Sequence, residues 1–389
     1  MLSSKRSAPA ASGIYSIPPH VERTVRVSQL DHFYYEGAEP NQVLHGNDLE
    51  VHPGEIVIMR GKSGSGKTTL LTLMGTLRTV QKGSLKVMGH ELNPELIQPG
   101  LKAPPAETIA NVRRQTGFIF QAHNLFGSLT AYQNVNMAAE LVSMDGARAK
   151  GRIEYLMERL GLNHKIHNKP KGLSGGEKQR IAVARGLVHH PRLVLADEPT
   201  AALDEERSRA VVTLFQEVAE KEKCAIIIVT HDDGIMDVAH RIVQMVYGRI
   251  ELNVNVQETK EICDLLEHTP LFADMTTSKR IEVAVKMRGE QAEPGEVVFS
   301  QGDVGDKFYL IHSGQVDVIV EEDGKKEVVA QLRKGQYFGE MALINDKPRN
   351  ATIVARAPSV FYTLGKDEFK EALSRRIKFV DELVNVIKK

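Results

Sequence analysis

The stretch Gly61-Lys62-Ser63-Gly64-Ser65-Gly66-Lys67-Thr68-Thr69 holds the residues most clearly suited to chemistry. It fits the phosphate-loop pattern G-x-x-x-x-G-K-S/T, in which glycines let consecutive backbone N–H groups close on one anion. Lys67 has the reach to meet the outer phosphates of a polyphosphate, and the Thr68 hydroxyl suits Mg²⁺. An apolar run at 54–59 precedes the loop and reads as a buried strand, and 68–74 reads as the first turns of a helix. A helix starting there adds its positive end to the anion site. The loop therefore binds a nucleoside triphosphate.

Other chemistry-bearing residues lie downstream. Ser174, followed by Gly175 and Gly176, precedes a helical stretch at 181–190 and forms a second helix start suited to an anion. Asp197 and Glu198 end an apolar strand at 193–196. A buried strand does not end in adjacent acids without a partner, and Mg²⁺ supplies one. Asp197 suits the outer coordination of that ion, and Glu198 suits a base that polarises attacking water. A further apolar strand, 225–230, ends at His231. Tyr34 is the aromatic best placed to stack on a purine, with Tyr35 close behind. The alternative for Tyr34 is a core or strand-surface position.

The elements that must hold these groups read as an α/β core. Strands are expected at 25–30, 42–51, 83–89 and 118–120, with a turn around Gly37 and another at Pro53-Gly54. Residues 93–107 carry four prolines and predict an irregular, exposed excursion. Residues 131–161 show helical spacing and predict a helical insert that stops at Gly161.

Composition narrows the function. Of 389 residues, 50 are Lys or Arg and 50 are Asp or Glu, so the formal net charge is zero. That speaks against a polyanion or nucleic-acid partner. Two cysteines provide neither a metal cluster nor a disulfide framework, which suits a reducing compartment. No apolar run approaches the roughly 20 residues of a membrane span. The Ser/Ala/Pro-rich start predicts a flexible tail over 1–24 and no secretory signal.

In order, the phosphate loop, Gln121, the stretch 173–180, Asp197-Glu198, Ala202-Leu203-Asp204 and His231 resemble the motif set of an ABC-transporter ATPase, over about residues 25–253. The resemblance implies that Gln121 senses Mg²⁺ and the transmembrane partner. It implies too that Ser174-Gly175-Gly176 reach the nucleotide held by a second copy, and that His231 contacts the γ-phosphate. Glu177 departs from the more frequent glutamine. The runs 118–125 and 195–204 are similar to an exporter branch that includes lipoprotein-release, macrolide-efflux and cyanobacterial glycolipid-export ATPases, most of all the last. The implied cofactors are ATP and Mg²⁺, and the implied partners are a second ATPase subunit, as a homodimer, and an integral membrane permease. The implied location is the cytoplasmic face of a bacterial inner membrane.

Composition then shifts. Residues 254–270 read as a charged connector with one helix, and from 271 short strands alternate with glycine turns, which predicts a small β-roll. A final helix is expected over 367–389. Within the roll, Phe338-Gly339-Glu340-Met341-Ala342-Leu343-Ile344 and Pro348-Arg349-Asn350-Ala351-Thr352 resemble the phosphate-binding cassette of cyclic-nucleotide-binding domains, as does Gln301-Gly302-Asp303 upstream. Arg349 would pair with the cyclic phosphate of cAMP or cGMP, Glu340 would accept the ribose 2′-OH, and amides after Gly339, including Met341 and Ala342, would cap the anion. Asn350 departs from the usual small residue and leaves the choice of base open. The expected architecture is an α/β P-loop ABC ATPase domain with a helical subdomain, then a β-roll of cyclic-nucleotide-binding type with flanking helices over 271–389. Two other readings use the same residues: a soluble ABC ATPase without a permease, and a β-roll that serves only for docking.

Overall fold

The computed structural model describes residues 23–36 and 39–373. The chain divides between Asn253 and Val254 into two compact units.

In the first unit, β1 (Val25–Glu36) continues beyond the predicted end at residue 30, because register shifts after Val27, Leu30 and His32 absorb its broken alternation. It pairs with β2 (Glu39–Val51); the turn expected at Gly37 lies outside the described residues. Next come β3 (Ile56–Arg60), α1 (Lys67–Met74), β4 (Lys82–Val87) and β5 (His90–Glu91). Strands β2-β1-β4-β5 form one antiparallel sheet.

The proline-rich stretch is more regular than its composition predicts. Asn93 caps α2 (Pro94–Ile97), accepting the Glu95 N–H at 2.9 Å, and Pro105 immediately precedes α3 (Ala106–Arg114). Proline at a first helical position loses nothing, since that N–H has no intrahelical partner. After β6 (Thr116–Ile119), the insert is two helices, α4 (Ala131–Leu141) and α5 (Gly146–Arg159), separated at Ser143, whose φ is 56°. Helix α6 (Gly175–Leu187) begins six residues before the predicted start at Ile181. Two glycines weaken helix propensity there, but Ser174 and Glu177 close a reciprocal capping box that supplies partners for both orphan N–H groups.

The rest of the unit is β7 (Leu193–Asp197), α7 (Glu205–Glu222), β8 (Ala225–Val229), β9 (Arg241–Val246) and β10 (Arg249–Asn255), the last reaching the unit boundary. The main sheet runs β10-β9-β3-β8-β7-β6, and β9, β3, β8, β7 and β6 are parallel neighbours. Strands β3, β7 and β8 are covered on both faces, which is why their sequences are unbroken apolar runs. Ile58, fully buried, lies in register between Ile228 and Ile242. Ile58→Ala is expected to cost about 2–5 kcal/mol and to lower the unit's melting midpoint by roughly 4–20 °C, measured by calorimetry; an unchanged midpoint would contradict this packing. The three strands deliver Gly61, Asp197-Glu198 and His231 to the same carboxyl edge, the ligand edge of open α/β sheets.

The second unit opens with α8 (Val256–Glu267) and α9 (Thr277–Lys286). The stretch 254–270 thus carries one helix, and that helix is part of a core: Ile262, Cys263 and Leu266 pack with Phe272, Phe308 and Phe369. Strands β11 (Arg288–Ala292), β12 (Val297–Phe299), β13 (Lys307–Ser313), β14 (Gln315–Glu322), β15 (Lys325–Arg333) and β16 (Tyr337–Phe338) follow, then α10 (Glu340–Asn345), β17 (Thr352–Ala355), β18 (Ser359–Gly365) and α11 (Lys366–Leu373). Two antiparallel sheets, β11-β18-β13-β16 and β12-β17-β14-β15, enclose Tyr309, Ile311, Val316, Phe338, Ile353 and Phe361. The remainder of the helix expected to 389 lies outside the described residues, as does nearly all of the expected tail. Cys224 and Cys263 are buried and unpaired, and burial pushes each thiol up to about 12. Among the described residues, no helix is long and apolar enough to cross a membrane.

Candidate functional site

The phosphate loop is held open by steric necessity. Gly61 has φ 147°, and a Cβ there would lie 2.2 Å from the Met245 carbonyl oxygen. Across the same loop the Gly248 N–H donates to the Ser65 carbonyl at 3.1 Å, so the turn between β9 and β10 braces it. Ser63 and Gly64 are exposed, and Gly66 precedes α1 with φ 95°. Lys67 is buried, and its Nζ donates to the Gly61 and Lys62 carbonyls at 2.6 and 3.0 Å. Burial holds its pKa below the usual lysine value, while Glu198 and Asp197 pull it back upward.

Three strand ends meet around this loop. Thr68 Oγ1 donates to Asp197 Oδ2 at 3.1 Å, bringing together the two residues expected at the metal. Glu198 sits at φ 50°, a left-handed conformation costly for a side chain of this kind. Its N–H donates to the Val229 carbonyl at 2.8 Å, and the buried Gln179 Nε2 donates to its carbonyl at 3.5 Å. These bonds hold the carboxylate end toward His231, whose Nε2 lies 3.8 Å from Glu198 Oε1. Burial raises the pKa of both Asp197 and Glu198; Thr68 and Lys67 oppose the shift at the former, His231 and Thr230 at the latter.

These residues fit a magnesium triphosphate. The Ser65 hydroxyl is buried without a hydrogen-bond partner, a donor suited to a phosphate oxygen. Among the described residues, no group of three or more His, Cys, Asp or Glu could hold a metal by itself. One hydroxyl and one carboxylate suit Mg²⁺, which takes few protein ligands and completes its shell with phosphate and water.

The remaining expected residues divide. Tyr34 joins the loop: its hydroxyl lies 3.1 Å from Thr69 Oγ1. Gln121 is exposed, in a turn whose downstream carbonyls, those of His123 and Asn124, accept from Arg185 at 2.8 and 2.6 Å. Ser174, Gly175 and Gly176 sit at their own helix start, where Glu177 accepts the Ser174 N–H at 2.8 Å and Gly176 abuts Ala202 and Leu203. The uncommon Glu177 thus completes the cap, and that hydrogen bond holds its carboxyl below the usual range. Gln179 and Thr230 escaped sequence reasoning as site residues. Gln179 lies inside the stretch 173–180, and Thr230 ends the apolar run that precedes His231.

In the second unit, Gly339 has φ 86°, and a Cβ there would meet the Arg349 guanidinium at 2.6 Å. Arg349 is buried: Nη1 donates to the Gly339 carbonyl at 2.8 Å, and Nη2 to the Lys307 carbonyl at 2.8 Å and Asp306 Oδ1 at 3.3 Å. The guanidinium carbon lies 4.1 Å from the Phe299 ring centroid. The Arg349 Nε is buried without a partner, so the side chain retains capacity for an anion. Glu340 is half-buried, and burial raises its pKa. Met341 and Asn350 are exposed and Ala342 is buried. Backbone bonds from Gly302 to Arg349 and from Arg349 to Asp303, both 2.8 Å, join the upstream Gln301-Gly302-Asp303 turn to the cassette. The residues fit a cyclic phosphate that adds to, or displaces, the contact with Asp306.

Comparison with known proteins agrees with both halves. Residues 44–201 match the ABC transporter family and residues 290–376 match the cyclic nucleotide-binding domain. An uncharacterized ABC transporter ATP-binding protein of Mycobacterium tuberculosis is 33% identical over 344 residues, 87% of this chain and 91% of that protein. The lipoprotein-releasing system ATP-binding protein LolD of Pseudomonas syringae pv. tomato is 40% identical over 217 residues, 56% of this chain and 92% of LolD. The dimeric structure of the ATP-binding cassette MJ0796, bound to ADP and Pi, superposes with a TM-score of 0.54 at 29% identity, covering 59% of this chain and 98% of that one. The chain belongs to the ABC transporter ATP-binding proteins: it is an ABC-type ATPase that carries a cyclic nucleotide-binding domain.

Proposed function

We propose that the chain hydrolyses ATP as one half of a two-fold dimer, drives a separate membrane permease in the export direction, and is modulated by cAMP or cGMP bound at Arg349 and Glu340. The observation that carries this reading is the convergence of Thr68 on Asp197 and of His231 on Glu198 at one sheet edge. In it, Gly61, Ser63, Gly64, Ser65, Gly66, Lys67, Thr68 and Thr69 bind the triphosphate, and Tyr34 takes the base. Thr68, Gln121 and Asp197 hold Mg²⁺, which when bound offsets the charge of the phosphate oxygens. Glu198 orients and deprotonates water, and His231 holds the γ-phosphate. Ser174, Gly175 and Gly176 meet the nucleotide of the partner subunit. The permease and the peripheral place at the cytoplasmic face of a bacterial membrane rest on the transporter descriptions of the relatives. Retention on membranes after salt washing and release with detergent, together with an integral membrane protein, tests that part. A chain recovered wholly without membranes would favour the permease-free ATPase.

The cyclic nucleotide part has its own measurement. A ligand at about 100-fold over its dissociation constant adds roughly 2.7 kcal/mol to the fold that binds it. Millimolar cAMP or cGMP should therefore raise the second unit's melting transition by several degrees. Arg349→Lys, which keeps the charge and loses the planar fork, should reduce the rise, and Arg349→Ala should erase it. If neither nucleotide moves the transition of the unaltered chain, the second unit is a docking module.

A further inference from the structure

The loop that follows α1 reaches back to β1 at the point where Tyr34 lies. Gln81 brackets the neighbouring Phe33: its Oε1 accepts the Phe33 N–H at 2.6 Å and its Nε2 donates to the Phe33 carbonyl at 3.1 Å. Arg78, exposed in the same loop, places its guanidinium carbon 4.7 Å from the Tyr34 ring centroid. His32 packs against the same ring in a T-shaped contact, with centroids 5.3 Å apart and planes at 89°. The Tyr34 hydroxyl is tied to Thr69, on the phosphate-loop helix itself. The ring is thus held by a cation, by an aromatic neighbour and at its hydroxyl.

We infer that Arg78 and Gln81 are positioning residues for the nucleobase, presetting Tyr34 as a stacking platform at a fixed height above the phosphate loop. The inference rests on the reading of Tyr34 as the residue that receives the base. A tyrosine side chain on a strand surface has rotamer freedom that a base would otherwise have to remove on binding. Gln81 fixes the backbone and Arg78 fixes the ring, through a cation–π contact that also makes one face unavailable. Because α1 begins at the phosphate loop and this loop ends it, base and phosphate subsites are set by one continuous segment, 61–81.

The test separates base from phosphate by using ATP and inorganic tripolyphosphate as paired probes in calorimetric titrations of the full chain. Arg78→Ala should raise the dissociation constant and KM for ATP about 2- to 5-fold, the worth of an exposed cation–π contact, with kcat unchanged. Arg78→Lys, which keeps a cation over the ring, should recover part of the loss. Gln81→Ala should act in the same direction. None of the three should alter the affinity for tripolyphosphate. If ATP and tripolyphosphate weaken together, the loop merely supports the fold and the inference fails. Tyr34→Ala distinguishes the two levels. Should it weaken ATP while the Arg78 and Gln81 variants do not, only the positioning role falls. Should it leave ATP affinity unchanged, the base platform falls, and the positioning role with it.

Discussion

Glu198→Gln is expected to slow ATP turnover roughly 10²–10⁴-fold, the usual worth of a positioned base. Glutamine keeps the length and shape of the side chain, and its amide oxygen can still accept from the His231 main chain and from Thr230. The Val229 and Gln179 bonds are both made to the main chain of residue 198, so they survive the exchange. What is lost is the carboxylate 3.8 Å from His231, a carboxylate whose pKa burial raises. Removing one negative charge beside Lys67 should at the same time strengthen the hold on a triphosphate. The variant should therefore accumulate as an ATP-bound dimer in size-exclusion chromatography. Turnover near the normal rate by a chain that stays monomeric in ATP would take Glu198 out of this role.

Ser174→Asp should lower turnover by about 10²–10³-fold, the loss expected when a positioned donor to developing charge is removed, and leave ATP affinity almost unchanged. The choice of aspartate follows from the cap. Ser174 accepts the Glu177 N–H at 3.2 Å, and Ser174→Ala would cost about 1 kcal/mol of helix stability, mixing folding with catalysis. Aspartate caps as well as serine, so α6 stays intact. It places an anion where the phosphate of the partner's nucleotide would arrive, and like charges repel. Mixed dimers of Ser174→Asp with Glu198→Gln chains would locate the defect. If the serine acts across the interface, one of the two composite sites in such a dimer carries both defects and the other neither. A loss of ATP binding in proportion to turnover would instead put Ser174 in the site of its own chain.

Both experiments concern residues legible from sequence, and the reason is local. The phosphate loop, the acids after β7 and the histidine after β8 each follow a short apolar run that must be a buried strand, so topology alone brings them to one edge. The early start of α6 was missed, because two glycines hid a box that serine and glutamate three residues apart close with their side chains. Residues 93–107 mislead because proline count ignores proline position. Arg349 was legible as a cation but not in its surroundings. Its partners Asp306 and Lys307 lie about forty residues away in sequence and reach it only when β13 packs beside the cassette. The clamp of Gln81 on Phe33 spans 48 positions and has no signature at either end.

The two deeply buried thiols give the chain an unplanned use. With Cys224 and Cys263 both held up to about 12, almost no thiolate exists at neutral pH, and neither sulfur is open to attack. The natural sequence is therefore a silent background for maleimide labelling. A single cysteine introduced on any exposed position can be tagged without first deleting the native pair. The same silence makes the pair reporters. Cys224 lies in the first unit and Cys263 in the second, so the labelling rate of each thiol clocks the opening of its own unit, and the two clocks can be read separately by peptide mass.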